Sequence, residues 1–141
     1  MFWKSCAYIH GDRIGVLVEV NSETDFVARN DQFKAFVHDV ALHIAAASPR
    51  YVKPEDVPAD VVAKEKELIL EELKTSGKPA EMLDKIAEGK LGKFYDEICL
   101  LRQAYVKNPD VTVGDFLKEN IAKLGENLVI RRFSRIELGV N

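Results

Sequence analysis

The sequence holds only two cysteines, Cys6 and Cys99. Two are too few for a disulfide framework, and these are too far apart for a metal knuckle, so both are expected as free thiols in a reducing compartment. No run approaches the ~18 consecutive apolar residues of a membrane-spanning helix. Met1-Phe2-Trp3-Lys4 leads into no apolar signal segment and no A-x-A cleavage site. A cytoplasmic protein is expected, beginning where an upstream segment is absent. There is no basic excess: twenty Lys and Arg against twenty-three Asp and Glu leave a net charge of −3. Direct nucleic-acid binding needs a positive surface to displace phosphate counterions, so it is not expected. Five Pro and eight Gly are too few for a linker or a fibrous chain. What is present is ordinary: 141 residues, 47% apolar and 30% charged, enough to bury one core.

Hydrophobic periodicity divides the chain into elements. Ile14, Val16, Val18 and Val20 alternate with Gly15, Leu17, Glu19 and Asn21, predicting a strand with one buried face. Ala7 to His10 is expected to pair with it through a turn at Gly11-Asp12. Phe33, Phe36, Val37, Val40, Ala41 and Ile44 fall on one helical stripe, with Asp31 as the expected N-cap and Ser48-Pro49 as the stop. After a turn between Pro54 and Pro58, two charged amphipathic helices follow, separated by Ser76-Gly77-Lys78-Pro79. Their narrow apolar stripes predict an antiparallel helical hairpin over about 59–101 that projects from the body. Gly89 and Gly92 are expected to bend or weaken its second arm. Asn108-Pro109-Asp110 reads as a turn, and Val113 to Leu124 as a short helix closed by Gly125. Phe116, Leu117, Ile121 and Leu124 form its inward stripe. Asn127 to Leu138 reads as a final antiparallel strand, with Leu128, Ile130, Ile136 and Leu138 on one face. The expected fold is α+β, a small antiparallel sheet packed with helices and carrying the projecting hairpin. The whole of 1–141 forms one domain in this reading.

Catalytic and metal-binding patterns are missing. His38 and His43 are five apart, about 140° around a helix, and cannot ligate together as i, i+4 pairs do. His10 lies on another element, so all three histidines are expected at the surface or half-buried, with no metal and no cofactor. Glu23 and Asp25 flank Thr24 without a basic partner nearby in sequence, and such pairs are too common to define a hydrolase. Gly89-Lys90-Leu91-Gly92-Lys93 has two residues between its glycines where a phosphate loop has four, and lacks the following Ser or Thr. Arg131, Arg132 and Arg135 alternate faces, which suits salt bridges at a sheet edge or a protein interface. Taken alone, these residues describe a protein-recognition domain without an evident catalytic centre.

Thr24-Asp25-Phe26-Val27-Ala28-Arg29-Asn30, directly after the Glu19-Val20-Asn21 strand end, closely resembles the TDFVAR signature of the elongation factor Ts family. Three further blocks agree in order. Tyr51 to Pro58 with the charged hairpin resembles the family's coiled-coil segment, and Lys85 to Leu91 with Lys93-Phe94 resembles its second arm. Ile121 to Asn127 with Arg131-Arg132-Phe133 resembles the closing block. The resemblance covers about residues 7 to 139. It departs from the family at its start, where nothing matches the usual N-terminal, ubiquitin-associated-like helical domain. Ser22 and Ser134 stand where some members have Cys, so a covalent dimer through position 134 is excluded. Leu124 stands for a usual Ile, and Ala104 for a frequent Pro.

The resemblance implies a nucleotide exchange factor, not an enzyme, that binds elongation factor Tu and promotes GDP release. It implies that Asp25 and Phe26, presented within Thr24 to Val27, wedge into the partner's nucleotide domain beside its magnesium ion. Leu124 and Gly125 match a second contact region. Short members of the family pair as homodimers, so a homodimer through the sheet is implied as well. The alternatives are an adaptor that binds elongation factor Tu without efficient exchange, and a small hydrolase built on Glu23 or Asp25. The hydrolase requires a deep pocket behind Phe26. From the residues alone, the favoured reading of Phe26 is instead a core aromatic packed beneath Phe33.

Overall fold

Alternation over Ile14, Val16, Val18 and Val20 produces a strand, β2 (Ile14–Ser22), at the centre of a three-stranded antiparallel sheet. The computed structural model describes residues 2–140, so Met1 and Asn141 of the expected domain lie outside the described residues. β1 (Phe2–His10) pairs with β2 along its whole length, from Phe2↔Ser22 to His10↔Ile14, and is longer than the Ala7–His10 expected. Gly11 and Asp12 both take positive φ, 56° and 57°, as a tight hairpin turn requires. β5 (Leu128–Glu137) borders β2 on the other side.

The inward face of the sheet packs on α2 (Asp31–Ala47). Val16, Val18 and Val20 share one core with Phe33, Phe36, Val37, Val40, Ala41 and Ile44, all buried. Each large side chain buried there contributes about 1.5–3 kcal/mol. The N-cap of α2 is Asn30, not Asp31: its Oδ1 accepts from the Gln32 N–H at 2.7 Å. Asp31 is the first helical residue, where its charge suits the helix dipole. The helix stops as expected at Ser48, which adopts a left-handed φ of 49° before Pro49.

β5 corrects the sequence reading. Glu19 pairs with Arg132 but Val20 pairs with Ile130, so Arg131 is an extra residue in a β-bulge. A one-residue insertion moves every later side chain to the opposite face. Leu128 and Ile130 point into the core, but beyond the bulge Phe133 packs inward while Ile136 lies 69% exposed. Leu138, beyond the strand end, is likewise exposed. Ile136 and Leu138 therefore do not share a face with Leu128 and Ile130. The arginines form the expected salt bridges. Arg131 and Arg132 reach Glu19 at 3.6 and 3.3 Å, and the Arg135 guanidinium donates to the Ala45 carbonyl at the C-terminal turn of α2.

The helical hairpin is α3 (Ala59–Lys74) and α4 (Ala80–Ile98), which pack on one another. α4 runs through Gly89 and Gly92 as one helix. A satellite cluster of Val57, Ile98 and Cys99, with Tyr51, Val61, Val62, Phe94 and Tyr95 around it, seals the hairpin base. Backbone bonds from Leu100 to Tyr51 and from Leu101 to Val52, at 2.7 and 3.0 Å, join that base to the body. The expected turn at Asn108-Pro109-Asp110 is instead the start of a strand. β3 (Ala104–Tyr105) and β4 (Asn108–Thr112) form a small antiparallel pair that turns at Val106-Lys107. α5 (Val113–Leu124) follows, opened by a capping box between Thr112 and Asp115. Phe36, Phe116 and Tyr105 stack in succession, with centroids 5.2 and 4.3 Å apart, so α5 and β3 lie on α2.

His43 is fully buried, against the expectation of a surface or half-buried ring. Its Nδ1 accepts from the Val106 N–H at 3.2 Å, so Nε2 carries the proton and donates to Gln103 Oε1 at 2.9 Å. Gln103 Nε2 in turn donates to the Glu97 carbonyl at 2.8 Å. The ring thus ties α2 to the end of α4 and to the β3 turn. Tyr105 lies beside it, its phenol pushed up to about 12 by burial and by Asp39. Burial lowers the pKa of His43, partly offset by the Gln103 bond. A second ring proton would also displace the Val106 donor. A folded pKa below the ordinary 6.5 means that the unfolded chain binds the proton more readily. The His43 contribution to stability is therefore complete above about pH 6.5 and is lost as pH falls below it, by at most about 1.4 kcal/mol per pH unit. Denaturant unfolding of the protein and of His43→Gln should give a stability gap that is widest near neutrality and narrows towards about pH 5. A gap independent of pH would refute the assignment.

Candidate functional site

The segment after β2 holds the residues the sequence singled out. Thr24 has an extended backbone (φ −129°, ψ 153°) and its Oγ1 accepts from the Val27 N–H at 3.4 Å. This N-cap starts a one-turn helix, α1 (Asp25–Ala28), where the sequence pattern alone predicted none. Val27 and Ala28 are buried in the main core. With those two side chains inward, helical rotation turns Phe26 outward, and its ring is 83% exposed. Phe26 is therefore not a core aromatic beneath Phe33. The Asn30 N–H bonds the Val27 carbonyl at 2.9 Å and Asn30 caps α2, so α1 is fastened directly to the longest core helix.

Asp25 does have a basic partner. Arg29, four residues on, meets its carboxylate at 2.7 Å on the exposed side of α1. The pair is too exposed to contribute much to stability. It orients the Asp25 carboxylate beside Phe26. Glu23 accepts from the Asn127 N–H at 2.8 Å and is a structural acceptor. Asp25, Phe26, Arg29 and Asn30 border only an open depression of about 440 Å³. Phe26 faces solvent and both carboxylates are engaged, whereas the hydrolase alternative needed a recess behind this segment with a free carboxylate in it. Among the described residues no cluster of three or more His, Cys, Asp or Glu is placed to hold a metal.

Leu124 and Gly125 come to the same end of the sheet. α5 ends at Gly125, whose φ of 71° is the left-handed cap that glycine takes without strain. This cap turns the chain into Glu126-Asn127 and on to β5. The Glu126 carboxylate receives the Thr24 N–H on Oε1 at 3.0 Å and the Thr24 hydroxyl on Oε2 at 2.6 Å. Glu23 returns the contact through Asn127. These three hydrogen bonds fasten Glu23 and Thr24, at the start of α1, to the Glu126-Asn127 turn that follows the exposed Gly125. Leu124 is half-buried against the core, and Val27 is wholly inside it. Of the six candidate residues, Val27 thus anchors the surface and does not form it. Sequence reasoning gave Glu126 no contact with Thr24, although its place directly after a helix-ending glycine marked a turn that something must hold.

The arrangement is a protruding aromatic side chain on a support fastened to the core, with the charged pair Asp25 and Arg29 beside it. The profile of the family described as Elongation factor TS matches residues 4–140. The chain is 61% identical over 133 residues to the Elongation factor Ts of Alkaliphilus oremlandii, and 60% identical over 133 residues to that of Alkaliphilus metalliredigens. To that of Carboxydothermus hydrogenoformans it is 58% identical over 134 residues. Each alignment covers 94% of this chain, which spans 62% of each relative's length. The chain belongs to the Elongation factor TS family.

The two neighbours in α1 should separate cleanly in stability. Phe26→Ala should leave the unfolding midpoint essentially unchanged, because the ring contributes little to the core. Val27→Ala should cost about 2 kcal/mol through lost burial. Thermal and denaturant unfolding of the two variants checks both outcomes. A large loss in Phe26→Ala would return that ring to the core.

Proposed function

We propose that this chain binds elongation factor Tu and promotes release of its GDP, acting as a nucleotide exchange factor in the elongation step of cytoplasmic translation. The observation that carries the reading is Phe26, 83% exposed at the apex of a helix fastened to the core at both ends. An apolar ring held in water by a rigid scaffold is costly unless a partner receives it. Membership of the Elongation factor TS family supports elongation factor Tu as that partner. Asp25 and Phe26 form the wedge in this reading, with Thr24 and Val27 holding it and Leu124-Gly125 as the adjoining contact.

The chemistry of the release is electrostatic and geometric. Magnesium holds a nucleotide through phosphate oxygens in a strict octahedral shell, so a displacement of a few tenths of an ångström beside the ion weakens the nucleotide by several kcal/mol. By linkage, whatever this chain takes from nucleotide affinity, the nucleotide takes from its own binding. No bond is made or broken and the reading requires no cofactor on this chain. The span of 62% of the relatives' length keeps the adaptor alternative in view, in which binding occurs without efficient exchange.

The proposed unit is a single core with the hairpin inserted at about 59–101, and it pairs with a second copy through the sheet. The outer face of the sheet supports this. Trp3, Ile9, Leu17 and Ile136 are exposed there, while the helices α1 and α2 pack on the sheet's opposite face. A bare apolar sheet face of that kind suits a symmetric contact.

Phe26→Ala should slow catalysed GDP release at least about tenfold, the usual consequence of losing an aromatic anchor. Asp25→Ala should act in the same direction but less, since an exposed carboxylate contributes orientation and on-rate. Release of a fluorescent GDP from purified elongation factor Tu measures both. Binding with no acceleration by the unaltered chain would establish the adaptor. Light scattering at tens of micromolar should return twice the chain mass of 15.9 kDa; the single mass would overturn the dimer.

A further inference from the structure

We infer that Glu126 is a positioning residue that sets the orientation of Phe26 through Thr24; this rests on the exchange reading above. A helix of four residues, such as Asp25–Ala28, cannot sustain itself, because helix nucleation is unfavourable until tertiary contacts or caps pay for it. Its cap is the Thr24 hydroxyl, which accepts from the Val27 N–H at 3.4 Å. That hydroxyl has one proton, and the proton goes to Glu126 Oε2 at 2.6 Å. Donation to a carboxylate leaves the oxygen lone pairs free to face Val27 and makes the oxygen a better acceptor. The other Glu126 oxygen holds the Thr24 N–H at 3.0 Å, so one carboxylate grips one residue at two points. Ser22 completes the turn, its hydroxyl donating to the Thr24 carbonyl at 3.0 Å.

Glu126 and Thr24 are 102 residues apart in sequence, and no Lys or Arg among the described residues pairs with Glu126. Its whole polar engagement is with Thr24. Glu23 fixes the opposing turn by accepting from Asn127, so the two turns hold each other reciprocally. The pitch of α1, and with it the direction of the Phe26 ring, is thereby referred to α5 and the Gly125 turn. A wedge that must displace a partner's groups by tenths of an ångström needs such a reference. Glu126 supplies it without touching the wedge.

The test is a double-mutant cycle read by two measurements. Glu126→Ala and Thr24→Val, which deletes the hydroxyl at nearly constant volume, should each slow catalysed GDP release from elongation factor Tu by about tenfold, as loss of a charge-assisted bond would. Glu126→Gln keeps one acceptor oxygen and should fall between Glu126→Ala and the unaltered chain. In a Phe26→Ala background, Glu126→Ala should cost no more than about twofold further, because the ring it orients is gone. In the free protein, amide hydrogen exchange at Thr24 and Val27 should accelerate in Glu126→Ala while the β2 amides stay protected. Losses from Glu126→Ala and Phe26→Ala that multiply in full would make Glu126 an independent contact and overturn the inference alone. Unfolding of β2 in both Glu126→Ala and Thr24→Val would make the carboxylate merely structural, which also overturns it. Phe26→Ala without effect on release would overturn the exchange reading, and the positioning role with it.

Discussion

Val16, Val18 and Val20 on one side, and Phe33, Phe36, Val37, Val40 and Ile44 on the other, bury the inner face of β2 against α2. β1, β5, α1 and α5 take their positions from that seam, while the α3–α4 hairpin sits on its own smaller cluster. β1 and β5 pair with the two edges of β2, and α5 joins through the stack of Phe36, Phe116 and Tyr105. α1 is the short bridge between the two seam elements, and Val27 and Ala28 bury themselves in the same core. Phe26 is exposed for that reason. A one-turn helix that must deliver Val27 and Ala28 inward has only one direction left for the residue before them.

Polar groups then hold what apolar burial cannot orient. His43 is buried as a neutral ring because it donates on one nitrogen and accepts on the other, joining three elements at little charge cost. Glu126 and Glu23 do the corresponding work at the edge of the fold, where each carboxylate meets N–H or O–H donors and no cation. Both arrangements tie together segments that lie far apart in the sequence.

The outer face of the sheet behaves differently. Glu19 sits there with Arg131 and Arg132 around it, and its buried Oε2 meets both guanidinium groups as ion pairs without hydrogen-bond geometry. Trp3 stacks on the Arg131 guanidinium, 5.3 Å from its carbon to the ring centroid. The β-bulge at Arg131 creates this face by rotating Ile136 out of the core and into line with Leu17. The bulge therefore sets both the limit of the core and the character of the surface opposite it.

Elements with strong local period were legible in the chain itself. The β2 alternation, the α2 stripe, the hairpin breaking at Ser76 to Pro79 and the Gly125 cap each depend on neighbours within one or two turns. The TDFVAR block likewise pointed to Asp25 and Phe26. The bulge at Arg131, the strand at Asn108, the burial of His43 and the grip of Glu126 on Thr24 were not legible, because each is decided by a partner distant in sequence. His43 meets Gln103 sixty positions on, and Thr24 meets Glu126 after 102. The residues alone favoured the core for Phe26, and the structure puts it in water; either rotation of a single turn satisfies local propensity. Tertiary packing of Val27 and Ala28 decided it, because burying two adjacent side chains in one core leaves the preceding ring no room inside.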